Sequence, residues 1–363
     1  MIWCLFGAGA CANTSETGRS DSSLASQSPA GNPDPYLPTD SAIEHHGLKV
    51  RTVKADTLIA SDDLEHITNP TIVGKHLWVA YPYRAPFFHV IDTVTGQLLH
   101  SLGRAGQGPG EFEHVGSLFL AQPHDSIAWA WDYGLNRFTR VTLNTLLATS
   151  RSAIEIVETK EHAAWLSPRG KSGFLSHYSP GTHFFTLFSA SGEVVATEDV
   201  PLPGDESLSR RVRSETLNGS TVCATWDRAG FALTYPYVGR IQMYDSLARP
   251  TIAVKVPYPG SEVFEPTGRD KAVSLRTNRV HYLSCAFSRD RLYAVFSGKL
   301  SPKSSDSETA DEARFIHVFD MQGRLVDVLR MNVNLHSLLV DADGTRAFGT
   351  SFFGAAVYRI DLR

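Results

Sequence analysis

Ten residues constrain this chain more than any others: Gly103-Arg104-Ala105-Gly106-Gln107-Gly108-Pro109-Gly110-Glu111-Phe112. Their four glycines and one proline exclude a helix or an inner strand. Glycine supplies positive φ and close backbone approach, while proline fixes φ and removes a donor. The segment reads as a tight crossing between two β units, with Glu111 and Phe112 launching the second. Leu118-Phe119-Leu120, then Ile127 to Asp132, then Asn136-Arg137-Phe138 follow in the order of the strands of a propeller blade.

Internal repetition supports that reading, since self-similarity over tens of residues is the signature of repeat architectures. An apolar strand ending in Asp or a small polar residue, then a glycine turn, recurs along the chain. It appears as Phe88–Asp92 with Gly96, Phe185–Ser189 with Gly192, and Ile316–Asp320 with Gly323. Less regular copies are Thr139–Leu143, Ile241–Asp245 and Tyr358–Asp361. The copies are mostly about 40 to 60 residues apart, near the size of a four-stranded blade. Six blades are expected, over residues 68–102, 116–150, 163–200, 217–256, 282–330 and 335–363. The sixth stops after its third strand, which would leave an open edge. The alternating segment Leu48–Lys54 is therefore predicted to add the outer strand of the last blade and close the ring.

Gly-x-Gly-Pro-Gly-Glu-Phe (residues 106–112), Asp132 closing one strand and Asn136-Arg137-Phe138 opening the next resemble the NHL-repeat and TolB-like six-bladed β-propellers of bacterial envelope proteins. The resemblance implies an all-β, six-bladed propeller over residues 47–363. Its sharp motif is complete only at this first crossing.

The chain's ends point outward from the cell. Residues 1–11 are apolar and small, too short to span a membrane. They are similar to the end of a secretory signal, although no Lys or Arg precedes the apolar run. Ala8-Gly9-Ala10-Cys11 resembles a lipobox with Ala where Leu is usual, which would make Cys11 a lipid attachment site. Residues 12–46 are rich in Ser, Thr, Asn, Pro, Gly and Asp, the composition of a disordered tether. An exported protein of the periplasm or cell surface is the favoured expectation over a cytoplasmic one. Of the four cysteines, Cys223 and Cys285 sit in similar strand-like stretches and fit no zinc spacing. They are read as small buried residues, with a disulfide in an oxidising compartment as the alternative. The net charge of −4 gives no basis for a nucleic-acid partner. Arg210-Arg211-Val212-Arg213 is read as a solvated loop, and the chain as a monomer.

In the usual propeller path, the loops joining the second and third strands share a face with the blade-to-blade crossings. That places two Tyr-Pro-Tyr turns, Tyr81/Tyr83 with Arg84 and Tyr235/Tyr237, on opposite sides of one channel mouth. Trp131, Tyr133, His177 and Phe352 join them there. Such rings are large, rigid and amphipathic, suited to gripping a peptide or glycan or to docking a partner protein. The plainer reading is that they cap their blades.

Six-bladed propellers also include calcium-dependent lactonases and lyases with a metal in the channel. By that resemblance Glu111, Asn218, Asn278 and Asn334 are speculative oxygen ligands for calcium. No nucleophile elbow, His-Glu-x-x-His or P-loop is present. The sequence therefore favours a non-catalytic binding scaffold without a cofactor, with a metal-dependent hydrolase or lyase as the alternative.

Overall fold

The computed structural model describes residues 48–61, 64, 67–120, 126–147, 154–159, 165–169, 173–177, 183–200, 219–254, 256, 266–267, 272–273, 279–300, 313–351 and 355–363. The lipobox with Cys11, the tether, Asn218, Asn278, Phe352 and the Arg210–Arg213 run lie outside them.

The described strands form six blades. Blades one to four each have four strands, over residues 68–102, 115–158, 165–198 and 221–254. Blade five has five and blade six has four, each taking one strand from the N-terminal segment. The innermost strands of successive blades touch in order, and that of blade six returns to blade one. The result is a closed six-bladed β-propeller, as expected. All six sequence echoes prove to be third strands: Phe88–Asp92, Arg137–Val141, Phe185–Phe188, Arg240–Asp245, Ala313–Asp320 and Ala356–Asp361.

The echo has a physical cause at the turn after the third strand. The Asp92 carboxylate accepts the backbone N–H groups of Val94 and Thr95, and Asp245 those of Leu247 and Arg249. Asp320 accepts those of Gln322 and Arg324. Asp is suited to this because its short side chain mimics a backbone turn. Gly96, Gly192 and Gly323 have φ of +75°, +80° and +75°, a region that disfavours any Cβ. A Cβ on Gly96 would also run into the Leu58 carbonyl, and one on Gly192 into that of Glu158. Each turn thus rests on the outer strand of the preceding blade.

The core is divided among the blade interfaces. Six apolar clusters are found among the described residues, one between each neighbouring pair of blades. Second and third strands are sandwiched on both faces, as in His76–Ala80 and Phe185–Phe188. Their sequences accordingly read as continuous apolar runs.

Two expectations change. Ring closure does come from the N-terminal segment, but Leu48–Lys54 is not the closing strand. Val50–Val53 pairs in parallel with the outer strand of blade five, from Val50↔Val328 to Val53↔Met331. Ala55–Ala60 then pairs antiparallel with Ala356–Asp361 and completes blade six. Val53 and Ala55 are both buried around exposed Lys54, so the chain steps from one blade edge to the next in a single residue. The alternation of 48–54 is that of an edge strand, and it carries no information about which edge. The Asn332 side chain fixes the step, accepting from Ala55 N (2.7 Å) and donating to Ala55 O (3.3 Å). Arg51 ties the strap to Asp327 and to the carbonyls of Leu362 and Arg363. Blade two also runs longer than expected, because a helix (Leu143–Leu147) intervenes before its outer strand, Ile156–Glu158.

Cys223 and Cys285 form a disulfide, correcting their reading as unpaired buried residues. It joins the innermost strands of blades four and five, Thr221–Ala224 and Arg279–Phe287. Thr221 Oγ1 donates to Leu283 O beside it (3.0 Å). Each sulfur belongs to a strand whose own partner lies elsewhere, so the pairing shows only once neighbouring blades are in register. By the chain-entropy argument, a cross-link over 62 residues is worth about 4 kcal/mol. Reduction under native conditions is expected to lower the melting temperature by several degrees. Replacing both cysteines with alanine should abolish that response, as read by calorimetry with and without reductant.

Candidate functional site

The glycine-rich crossing between blades one and two is built by two buried side chains from blade two. The Asp132 carboxylate accepts four backbone N–H groups: Glu113 (2.7 Å) and His114 (3.1 Å) in the crossing, Gly134 (3.0 Å) and Leu135 (3.1 Å) in its own hairpin. The Arg137 guanidinium donates to the carbonyls of Gln107 (2.8 Å), Gly108 (2.9 Å) and Glu111 (2.7 Å). Arg137 therefore serves the crossing more than the hairpin that its sequence position suggests. Asn136, at φ 51°, donates its side-chain amide to Thr159 O and anchors the hairpin from the other side. Phe112 is fully buried against Phe87 and Phe88, at centroid distances of 5.9 and 5.1 Å. The Gly-Pro-Gly-Glu-Phe, Asp and Asn-Arg pattern is thus one hydrogen-bonded unit.

That unit fixes an aromatic patch on the mouth face. Tyr133 N donates to His114 O, and their rings stack at 5.1 Å with a 32° tilt. Tyr83, from the neighbouring loop of blade one, is 42 % exposed and meets Tyr81 edge-on at 6.2 Å. Partial burial raises the Tyr133 phenol pKa, with the nearby Tyr83 adding to it; burial raises Tyr83 in the same way. Both hydroxyls therefore remain protonated donors at neutral pH. Arg84 lies over the Tyr81 ring at 5.3 Å.

The remaining expected mouth residues behave differently. Trp131 (0 % exposed) is buried against Phe138 at 4.7 Å, inside the interface of blades two and three. Tyr235 (0 %) donates or accepts a hydroxyl bond with Tyr244 (3.1 Å) and lies beneath Arg240. Tyr81 is also largely buried, and Tyr237 half-buried. His177 (5 %) sits in the interior with Nε2 at 3.1 Å from Ser220 O. These side chains are core because the end of each second strand is still clamped between blades. The sequence shows where the turn falls, but not how deep its first residue lies. The two Tyr-Pro-Tyr turns do sit on opposite sides of the ring, yet only the blade-one turn presents an open aromatic surface. His114, which sequence reasoning passed over, belongs to that surface; its place directly before the inner strand of blade two was the available signal.

Of the speculative calcium ligands, Asn218 and Asn278 lie outside the described residues, and the other two are engaged within their own blades or loops. The Glu111 carboxylate turns back to Gly108 N (3.1 Å) within its own loop, and Asn334 accepts from Arg314 Nε (3.0 Å) between blade-five strands. Among the described residues, no group of three or more His, Cys, Asp and Glu is placed to hold a metal ion.

The chain matches, over residues 66–343, the model of the family described as TolB-like 6-blade propeller-like. No curated protein matches it by sequence. Among solved structures it is similar to U3-55K, with 11 % identity over 85 % of this chain and 98 % of that one, at a TM-score of 0.52. That likeness is one of fold alone. It is also similar to the Cps50 (Swd1) β-propeller domain of Myceliophteria thermophila, with 11 % identity over 86 % of this chain and all of that domain, at a TM-score of 0.45. Kuenenia stuttgartiensis hydrazine synthase shows 12 % identity over 81 % and 83 % of the two chains, at 0.48.

Two measurements follow from this geometry. Removing the Arg137 guanidinium takes three hydrogen bonds from the crossing, leaving Gly108 O only the Glu111 N–H. Arg137→Ala is therefore expected to cost about 3 kcal/mol or more, read as a lower denaturation midpoint. Burial lowers the His177 pKa to about 4, so the folded state keeps it neutral while the unfolded chain protonates near pH 6.5. Its contribution is complete above pH 6.5 and is lost as pH falls to about 4, on the order of 3 kcal/mol by linkage. His177→Gln keeps a side-chain donor for Ser220 O and should flatten the stability profile over that window.

Proposed function

Since the chain belongs to the TolB-like 6-blade propeller-like family, we propose that it is a non-catalytic binding scaffold of the cell envelope whose mouth face grips a peptide segment of a partner protein. The observation that carries this is the patch of Tyr83, His114 and Tyr133, exposed or half-exposed and held on a rigid crossing. The backbones carrying His114 and Tyr133 are held by Asp132 and by the Tyr133 N–H to His114 O bond, so little ordering entropy remains to be lost there on binding. Aromatic residues with a polar tip are the commonest anchors of such interfaces.

Export is supported by the Cys223–Cys285 disulfide, since stable disulfides belong to oxidising compartments. The apolar start and the Cys11 lipobox resemblance point the same way.

The reading is tested by panning a random peptide library on the full chain and repeating the selection on Tyr83→Ala and Tyr133→Ala. Enriched peptides should bind the native chain and lose about tenfold in affinity, or 1.4 kcal/mol, with either variant. Peptides that bind the variants equally well, or no enrichment at all, would overturn the mouth as the binding surface. Both variants should retain the native melting temperature within about a degree, because surface changes of this kind cost little.

A further inference from the structure

We propose that the ligand gripped at the mouth carries a carboxylate, received in a pocket formed under the blade-one loop. This rests on the reading above and names what the site selects for. A cavity of about 430 Å³ is lined by Tyr81, Arg84, Ala85, Pro86, His89 and Ser101. Its inner wall is a cross-strand pair: His89 on the third strand faces Ser101 on the outer strand, with Nδ1 and Oγ 3.0 Å apart. Its rim is Arg84, whose guanidinium is exposed and lies over the Tyr81 ring.

No carboxylate lines this cavity, and among the described residues Arg84 has no ion-pair partner. Other exposed arginines, such as Arg289, Arg324 and Arg363, are neutralised by an acid of their own. An arginine stacked on a buried ring has lost much of its side-chain freedom, so binding an anion costs it less. A planar carboxylate matches the guanidinium fork with two parallel hydrogen bonds. The His89–Ser101 pair offers further polar contact on the wall. The cavity is of a size for one residue of a chain, not for a folded domain. Tyr81 forms its floor and touches Tyr83 edge-on, so the pocket and the aromatic patch are two sides of one loop. A peptide could lay a side chain on the patch and place either its C-terminal carboxylate or an Asp or Glu side chain beneath Arg84.

Ligand-observed NMR titrations with three tripeptides separate these sources: acetyl-Ala-Tyr-Ala as the free acid, the same peptide as its C-terminal amide, and amidated acetyl-Asp-Tyr-Ala. The native chain should bind an acid about tenfold tighter than the neutral amide. Preference for the free acid assigns the C-terminus, and preference for the Asp peptide assigns a side chain. Arg84→Gln should erase the preference and Arg84→Lys should keep part of it, with both variants retaining the native melting temperature. Tyr133→Ala should weaken acid and amide alike. Equal binding of acid and amide by the native chain, a preference that survives Arg84→Gln, or no binding of either acid at millimolar concentration overturns the proposal. If the peptides bind through Tyr133 without preference, the aromatic mouth stands and the carboxylate pocket fails. If an acid binds through Arg84 and Tyr133→Ala changes nothing, the aromatic mouth fails instead.

Discussion

A sheet with two apolar faces cannot stop at water. Each blade here has second and third strands buried on both sides, and each contributes to two of the six interface clusters. No blade is therefore a stable unit alone, and a row of five would leave two faces bare. The ring must close, and every other feature is subordinate to that demand. The glycine turns are small where they rest on the preceding blade, and the disulfide joins neighbouring inner strands. The last blade borrows its edge from the other end of the chain. Closure is also what makes the mouth rigid, because loops between clamped strands inherit their positions from the interfaces below.

Within that frame, the crossing between blades one and two concentrates its polar bonding in two residues. Asp132 gathers N–H groups and Arg137 gathers carbonyls, so a glycine-rich segment with only a two-residue ladder of its own is braced by its neighbour. The crossing has one short ladder of its own, Arg104–Ala105 in parallel with Glu111–Phe112, and blade-two side chains satisfy backbone groups that this ladder leaves over. The surface that results is flat, aromatic and preset. It lies beside a cation, Arg84, that has no acid partner among the described residues.

How much of this was legible in the sequence depended on the range of the interaction. The clearest third strands were readable because Asp or Ser and Gly at the following turn act locally, on their own hairpin. The crossing was readable for the same reason, since its glycines exclude the alternatives. What escaped was set by contacts between blades. Trp131, His177 and Tyr235 look like turn residues in sequence and are core in space, because depth is decided by the neighbouring blade. Leu48–Lys54 reads as an edge strand, but two edges were open and the choice lies with Asn332 and Arg51 partners almost three hundred residues away. Cys223 and Cys285 gave no spacing signal for the same reason: their distance is fixed by two blades meeting. The mouth residues were found as a neighbourhood, and only the structure separates those that face outward.

The N-terminal strap has a mechanical consequence. Third strands run away from the mouth, so Leu362 and Arg363, which follow the third strand of blade six, lie on the opposite face, and Arg51 is bonded to their carbonyls. The strap therefore enters the fold on the back, at Val50, and runs from there toward the mouth. Tension on its N-terminal end reaches Val50–Val53 first, the outermost strand of blade five, and must peel it away before it loads Ala55–Ala60. The propeller has a single seam, and the point where a tether would pull is the point where the seam begins to unzip.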